Sequence, residues 1–290
     1  MNNNLQGRYP NASTHQIRTD LPGPFTLKLP EIYQVEVSSE CNFSCVMCPR
    51  KLYTRQDKAA HLPISTIKTM VDRGDFENSY FVELQMSGEP LLYPHLEEAI
   101  YLIKSTGVLV GLSTNGHLLN EDTLSALANL DYITISIDSV TKRERIRVGA
   151  PPFHDWFEET IVPAILYFIS INAVIDLQVV ELKGWEEEIS RLHQYVRPYK
   201  SRVNIRSVPD CFITKFKPSE QPNDKGMCLN PFLSVSVQSN GNVVPCCFSW
   251  GDDLVYGNIN DQSMEEIWAG KPVKILRENH RQGMLPEICF

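Results

Sequence analysis

Between residues 33 and 208, short apolar runs rich in β-branched and aromatic residues alternate with longer stretches in which apolar side chains recur every three or four positions. The runs at 33–38, 80–86, 108–112, 132–137, 174–182 and 203–208 predict six strands. Between them, Leu96, Ala99, Ile100 and Ile103 share one helix face, as do Phe157, Ile161, Ala164, Ile165 and Phe168, and later Trp185, Ile189, Leu192 and Val196. Asn120 followed by Glu121 and Asp122 predicts a helix start, because a capping side chain and an acidic first turn satisfy free amides and the dipole. Parallel strands joined by helices form a covered sheet, and six consecutive βα units fit an α/β fold built as an incomplete TIM-like barrel. A doubly wound open sheet fits the same pattern, and in either fold ligands gather at the carboxyl ends of the strands.

Beyond residue 220 the alternation stops. Ser234 to Val237 and Asn242 to Val244 predict a hairpin turning at Asn240-Gly241, with a final helix after Ile267-Trp268. The first thirty residues are polar and hold Pro10, Pro22, Pro24 and Pro30, which reads as a tail or belt. The expected organisation is therefore a tail at 1–30, a barrel at 31–215 and a small hairpin and helix domain at 220–290. At 290 residues and 42% hydrophobic, the chain suits one large core with a small appendage. A net charge of −8, with a pI near 5.4, argues against a nucleic-acid surface. The N-terminus lacks a charged and apolar export signal, so eight cysteines point to a reducing cytoplasm rather than to disulfides. The longest apolar stretch, Ile161 to Ile175, is interrupted by Pro163, Ser170 and Asn172 and predicts no membrane span.

The candidate chemistry sits at predicted strand ends. After the first strand, Cys41, Cys45 and Cys48 form a C-x3-C-x2-C array. Three thiolates at this spacing leave one iron of a four-iron cluster without a protein ligand. A zinc site is the competing reading, but it needs a fourth Cys or His at a matching spacing, and none follows nearby. Ser87-Gly88-Glu89-Pro90 follows the second strand, where glycine lets the backbone approach a ligand and glutamate offers an acceptor. Ser113-Thr114-Asn115-Gly116 follows the third strand, Ser136 ends the fourth, and Arg147 comes about three helical turns later.

The cysteine array and these motifs resemble the radical SAM enzymes, which use a partial (β/α)6 barrel. The residue before the third cysteine is usually aromatic in that family and is Met47 here. The resemblance implies that Cys41, Cys45 and Cys48 hold a [4Fe-4S] cluster whose open iron chelates S-adenosyl-L-methionine (SAM). An electron from the cluster would cleave SAM to a 5'-deoxyadenosyl radical. It further implies that Gly88 and Glu89 bind the SAM amino group and that Ser136 and Arg147 hold its carboxylate, while Thr114 and Asn115 are placed to meet the ribose.

Cys228, Gly241 and Cys246, with twelve and then four residues between them, resemble the opening of the SPASM and twitch extensions that bind auxiliary iron–sulfur clusters. Relatives place a further cysteine pair at the end, whereas this sequence ends in Cys289-Phe290. Three readings follow: Cys228, Cys246 and Cys289 hold a cluster with an open iron; Cys247 or Cys211 completes it; or the extension is a fragment or degenerate form. Adjacent Cys246 and Cys247 point in opposite directions on a regular strand, which makes Cys247 the weaker ligand. Cys211 is alternatively a hydrogen-atom donor at the barrel mouth, as in related peptide epimerases. The expected function is hydrogen abstraction from a carbon in peptide or natural-product maturation, with oxidation of a sugar or aminocyclitol alcohol as the runner-up. A non-catalytic iron–sulfur electron carrier or regulator is the reading from another class. Expected partners are a peptide or small-molecule substrate, a flavodoxin- or ferredoxin-type reductant and a leader-peptide recognition protein.

Overall fold

The computed structural model describes residues 27–45, 47–48, 50, 59–138, 140, 156–181, 186–209, 228–286 and 289. The six predicted strands form as β1 (Glu31–Val35), β2 (Phe81–Glu83), β3 (Leu109–Thr114), β4 (Tyr132–Ser136), β5 (Val174–Glu181) and β6 (Val203–Pro209). Their neighbours are all parallel and lie in chain order. A doubly wound sheet reverses its order at a switch point, whereas a strictly sequential order of right-handed crossovers keeps the helices on one face. The sheet is open, so the architecture is a partial (β/α)6 barrel.

Period-two alternation divides each strand between the two faces. Val82, Val110, Leu112, Ile133, Ile135, Ile175 and Leu177 are fully buried and join the core with Ile67, Ala99, Ile100, Ile103, Ala164, Ile165 and Phe168. These are the apolar stripes of the helices Ile64–Arg73, Leu96–Lys104 and Val162–Ser170. Asn120 caps helix Glu121–Ala126 by accepting from the Thr123 N–H, as its position predicts.

The C-terminal segment continues the same sheet. β7 (Ser234–Val237) pairs in parallel with β1, and β8 (Asn242–Val244) and β9 (Gly257–Asn258) extend the sheet antiparallel. Gly241 takes φ +84° at the predicted hairpin turn, a conformation that suits glycine. Residues 215–220, where the boundary is expected, lie outside the described residues. The last residues of the expected tail touch both parts: Trp268 donates its indole N–H to Leu27 O (2.9 Å), and Asn78 donates to Leu29 O (2.7 Å). Among the described residues, no helix is long and apolar enough to cross a membrane.

Candidate functional site

Cys41, Cys45 and Cys48 lie just past β1, each partly exposed. Cys45 O accepts from Cys48 N–H at 3.1 Å, and Cys41 Sγ accepts from Phe43 N–H at 3.4 Å. Burial pushes the Cys45 thiol up to about 12, and Asp138, Cys48 and Cys41 add to the rise by their negative charge. The three sulfurs are therefore close enough to sense one another. Asp138, just beyond β4, holds φ +28° and accepts from Val180 N–H at 3.2 Å, which places a carboxylate beside Cys45 that the sequence motifs did not single out. Met47 packs against Phe43, Cys45 and Val180.

Glu89 fixes the neighbouring loops. Only 2% exposed, its carboxylate accepts from Leu91 N–H (3.1 Å), Thr114 O–H (2.7 Å) and Asn115 N–H (2.8 Å). Burial holds its pKa above the usual carboxylate value, while these three donors act in the opposite direction. Asn115 in turn donates to Asn42 Oδ1 at 2.7 Å and lies 3.9 Å from Cys41 Sγ, which pins the β3 loop to the cysteine loop. Gly88 is wedged against the same loop: a Cβ there would fall 2.1 Å from Ser38 O and 2.6 Å from Glu40 O. The Glu89 and Thr114 side chains thus face inward as supports.

Glu36, fully buried at the end of β1, was missed in the motif reading. It accepts from Ser87 N–H (3.0 Å), from the Ser87 hydroxyl, and from Ser239 N–H (2.9 Å) of the C-terminal hairpin. One carboxylate thereby ties the Ser87–Pro90 loop to the second cysteine-bearing region.

The face of the sheet opposite the helices is polar. Register aligns Ser113, Thr134, Asp176 and Asn204 in one row and Ser136, Gln178 and Arg206 in the next, nearer the carboxyl ends. Glu83 accepts from Gln34 Nε2 (3.1 Å) and from the Ser113 hydroxyl, and Asp176 accepts from the Tyr132 hydroxyl and from Asn204 Nδ2 (2.9 Å). Arg206 donates to Gln178. Below these rows the Phe81 and Tyr132 rings meet edge to face at 5.9 Å. Gly111 leaves them room, since a Cβ there would lie 2.3 Å from the Phe81 ring. An all-parallel sheet usually reads as continuously apolar, so the recurring polar positions of β3 to β6 were the available sequence signal.

Cys228, Cys246 and Cys289 gather at the other end of the sheet. Burial pushes the Cys289 thiol up to about 12, with Cys246 and Cys228 as the further causes. Cys246 lies 3.9 Å from Ser249 Oγ. The adjacent Cys247 acts instead on Tyr33 of β1, whose hydroxyl is held well above its usual value by burial, then by Glu83 and Cys247. Both cysteines lie beyond the end of β8, Cys246 in a bend and Cys247 in a turn, so the alternation of a regular strand does not set their directions. Tyr256 is buried among Cys228, Cys246 and Cys289, and its hydroxyl and one Arg277 terminal nitrogen have no hydrogen-bond partner among the described residues. Arg147 and Cys211 lie outside the described residues.

Both cysteine sets fit an iron–sulfur cluster. Each supplies three thiols, and among the described residues no three His, Cys, Asp or Glu side chains converge on a single-ion site. Thiolates are the ligands that iron–sulfur clusters take, so the donor chemistry of each set fits such a group. The Tyr256 hydroxyl, an orphaned donor among the second set, would find an acceptor in an anionic cluster there.

Comparison with known proteins agrees with this geometry. Residues 35–161 match the radical SAM superfamily and residues 228–290 match the SPASM iron–sulfur cluster-binding domain. An S-adenosylmethionine-dependent nucleotide dehydratase from a Thermoplasmatales archaeon is 26% identical over 167 residues, 57% of this chain and 58% of that protein. This chain therefore spans under two thirds of that relative's length. The S-adenosyl-L-methionine-dependent 2-deoxy-scyllo-inosamine dehydrogenase of Niallia circulans is 24% identical, covering 88% of this chain and 90% of the relative. The PqqA peptide cyclase of Gluconobacter oxydans is 24% identical, covering 93% and 83%. Among solved structures, BtrN with AdoMet and 2-DOIA has a TM-score of 0.58 at 18% identity, covering 88% of each chain. Native anSMEcpe with bound AdoMet and the Kp18Cys peptide reaches a TM-score of 0.64 at 16% identity, covering 89% of this chain and 84% of that one. With a radical SAM domain at residues 35–161 and a SPASM iron–sulfur domain at 228–290, the chain belongs to the radical SAM superfamily.

Proposed function

We propose that this enzyme takes a hydrogen atom from a carbon of a small polar natural product, with Cys41, Cys45 and Cys48 as the ligands of its [4Fe-4S] cluster. The cluster, when bound, supplies an electron that cleaves SAM to a 5'-deoxyadenosyl radical. The protein's own part is to position SAM and substrate and to exclude water. The Ser87–Pro90 loop, held from beneath by Glu36 and Glu89, would receive the SAM amino group, with Asn115 near the ribose and Ser136 and Arg147 near the carboxylate. Cys228, Cys246 and Cys289 are the proposed ligands of an auxiliary cluster. A flavodoxin- or ferredoxin-type reductant and a cytoplasmic setting complete the proposal.

The single observation that carries the substrate class is the polar inner face. Glu83 and Asp176 accept there from neutral donors, namely Gln34, Ser113, Tyr132 and Asn204, while Arg206 on the same face donates to Gln178, so two carboxylates stand with one arginine among these residues. Carboxylates in such a setting suit an amine-bearing, hydroxylated ligand, since a cation and hydroxyl groups complement them without leaving a buried donor unpaired. This favours a sugar or aminocyclitol alcohol. The second reading, a peptide with its own recognition partner, draws on the match to a peptide cyclase over 93% of the chain.

Transfer of deuterium from carbon-deuterated aminocyclitols into 5'-deoxyadenosine, read by mass spectrometry on the reduced enzyme, tests the choice. Label transfer that Asp176→Asn weakens at least tenfold in kcat/KM supports it. Transfer from a peptide alone would overturn it in favour of the second reading.

A further inference from the structure

Tyr256 stands where the hairpin passes into β9, its N–H donated to Val243 O at 2.8 Å. The side chain is 5% exposed, and its hydroxyl is buried without a hydrogen-bond partner among the described residues. A phenylalanine would fill the same volume without burying an orphaned donor, so packing alone does not account for the hydroxyl. The groups whose charge reaches it are Arg277, Cys246, Cys289 and Cys228.

Arg277 offers only donors. It is 5% exposed, gives its Nε–H to Pro231 O at 2.8 Å and stacks 4.0 Å over the Trp268 ring. One of its terminal nitrogens is also buried and unpartnered. The orphaned Tyr256 hydroxyl thus lies between Arg277, which can only donate, and three thiols, whose sulfurs and whatever they hold are the acceptors of that set.

We propose that the Tyr256 hydroxyl donates a hydrogen bond to a sulfur of the iron–sulfur centre held by Cys228, Cys246 and Cys289, and so raises its reduction potential. The proposal rests on the auxiliary-cluster reading above. Hydrogen bonds to cluster sulfurs favour the more negative, reduced state. Tyr256 is a positioning residue here, tuning the centre without ligating it.

The test uses the full chain carrying Cys41→Ala, Cys45→Ala and Cys48→Ala, anaerobically reconstituted so that only the second centre is read, with and without Tyr256→Phe. EPR-monitored redox titration is expected to show that the Phe variant keeps its iron and is about tenfold harder to reduce, about 59 mV for a one-electron couple. An exchangeable-proton coupling in the ENDOR spectrum of the reduced centre is expected to disappear with the hydroxyl. Tyr101→Phe, at a residue 66% exposed, should change neither readout. An unchanged potential with the coupling retained would overturn the proposal alone. Iron lost only from the Tyr256→Phe form would overturn it in favour of a ligating phenolate. A parent variant without iron would overturn both this proposal and the auxiliary-cluster reading.

Discussion

Replacing Glu89 by Gln tests whether one buried carboxylate holds the SAM-facing loops together. Its Oε1 accepts from Leu91 N–H and the Thr114 hydroxyl, and its Oε2 from Asn115 N–H. A glutamine keeps one acceptor oxygen. Placed at Oε1, that oxygen retains two bonds and sets an NH2 group against the Asn115 N–H. Placed at Oε2, the NH2 opposes Leu91 N–H and Thr114, whose oxygen already accepts from Gly116 N–H at 3.1 Å. The first arrangement is cheaper and still loses a charge-assisted bond, roughly 1.5–3 kcal/mol, with the two remaining bonds weakened. Relief of the burial that raises the Glu89 pKa offsets part of this, leaving a net loss of about 2 kcal/mol. The urea midpoint should fall accordingly. SAM affinity, measured by calorimetry on the reconstituted protein, should weaken at least several-fold because Asn115 also anchors the Asn42 side chain. Unchanged midpoint and affinity together would refute the reasoning.

Two further outcomes follow from the same geometry. Gly88→Ala forces a methyl group against Ser38 O and Glu40 O, backbone atoms that cannot rotate away, so a loss of about 1–3 kcal/mol or more and weakened SAM binding are expected by the same two assays. Asp75, 3% exposed with one carboxylate oxygen buried and unpartnered, has its pKa raised from 3.8 to about 6, chiefly by burial. The folded state therefore binds this proton more tightly than the unfolded chain, and the group's contribution to stability falls as pH rises between those values. Asp75→Asn should abolish that loss, gaining up to about 3 kcal/mol relative to wild type between pH 3.8 and pH 7. Urea midpoints that differ by a constant amount across the range would contradict it.

Much of the frame was legible because its signals are local. The strand at 132–137, the cap at Asn120 and the turn at Gly241 each follow from neighbouring residues, and all form as expected. The cysteine arrays were legible by spacing. The roles of Glu36 and Glu89 were not, because they depend on partners 51 and 203 residues away for Glu36 and up to 26 for Glu89. The row of Thr134, Asp176 and Asn204 was not legible either, because pairing register rather than local pattern brings the three together. The continuity of β7 with β1 was hidden for the same reason, since no local pattern specifies a parallel partner some two hundred residues on.

The central claim is that Cys41, Cys45 and Cys48 hold the cluster at which SAM is cleaved. Its most direct test is 5'-deoxyadenosine formed from SAM by the anaerobically reconstituted, chemically reduced protein, beside the Cys45→Ala variant. The account predicts steady formation by the native chain and none above background by the variant. No formation by a native chain loaded with iron, or equal formation by the two proteins, would contradict it.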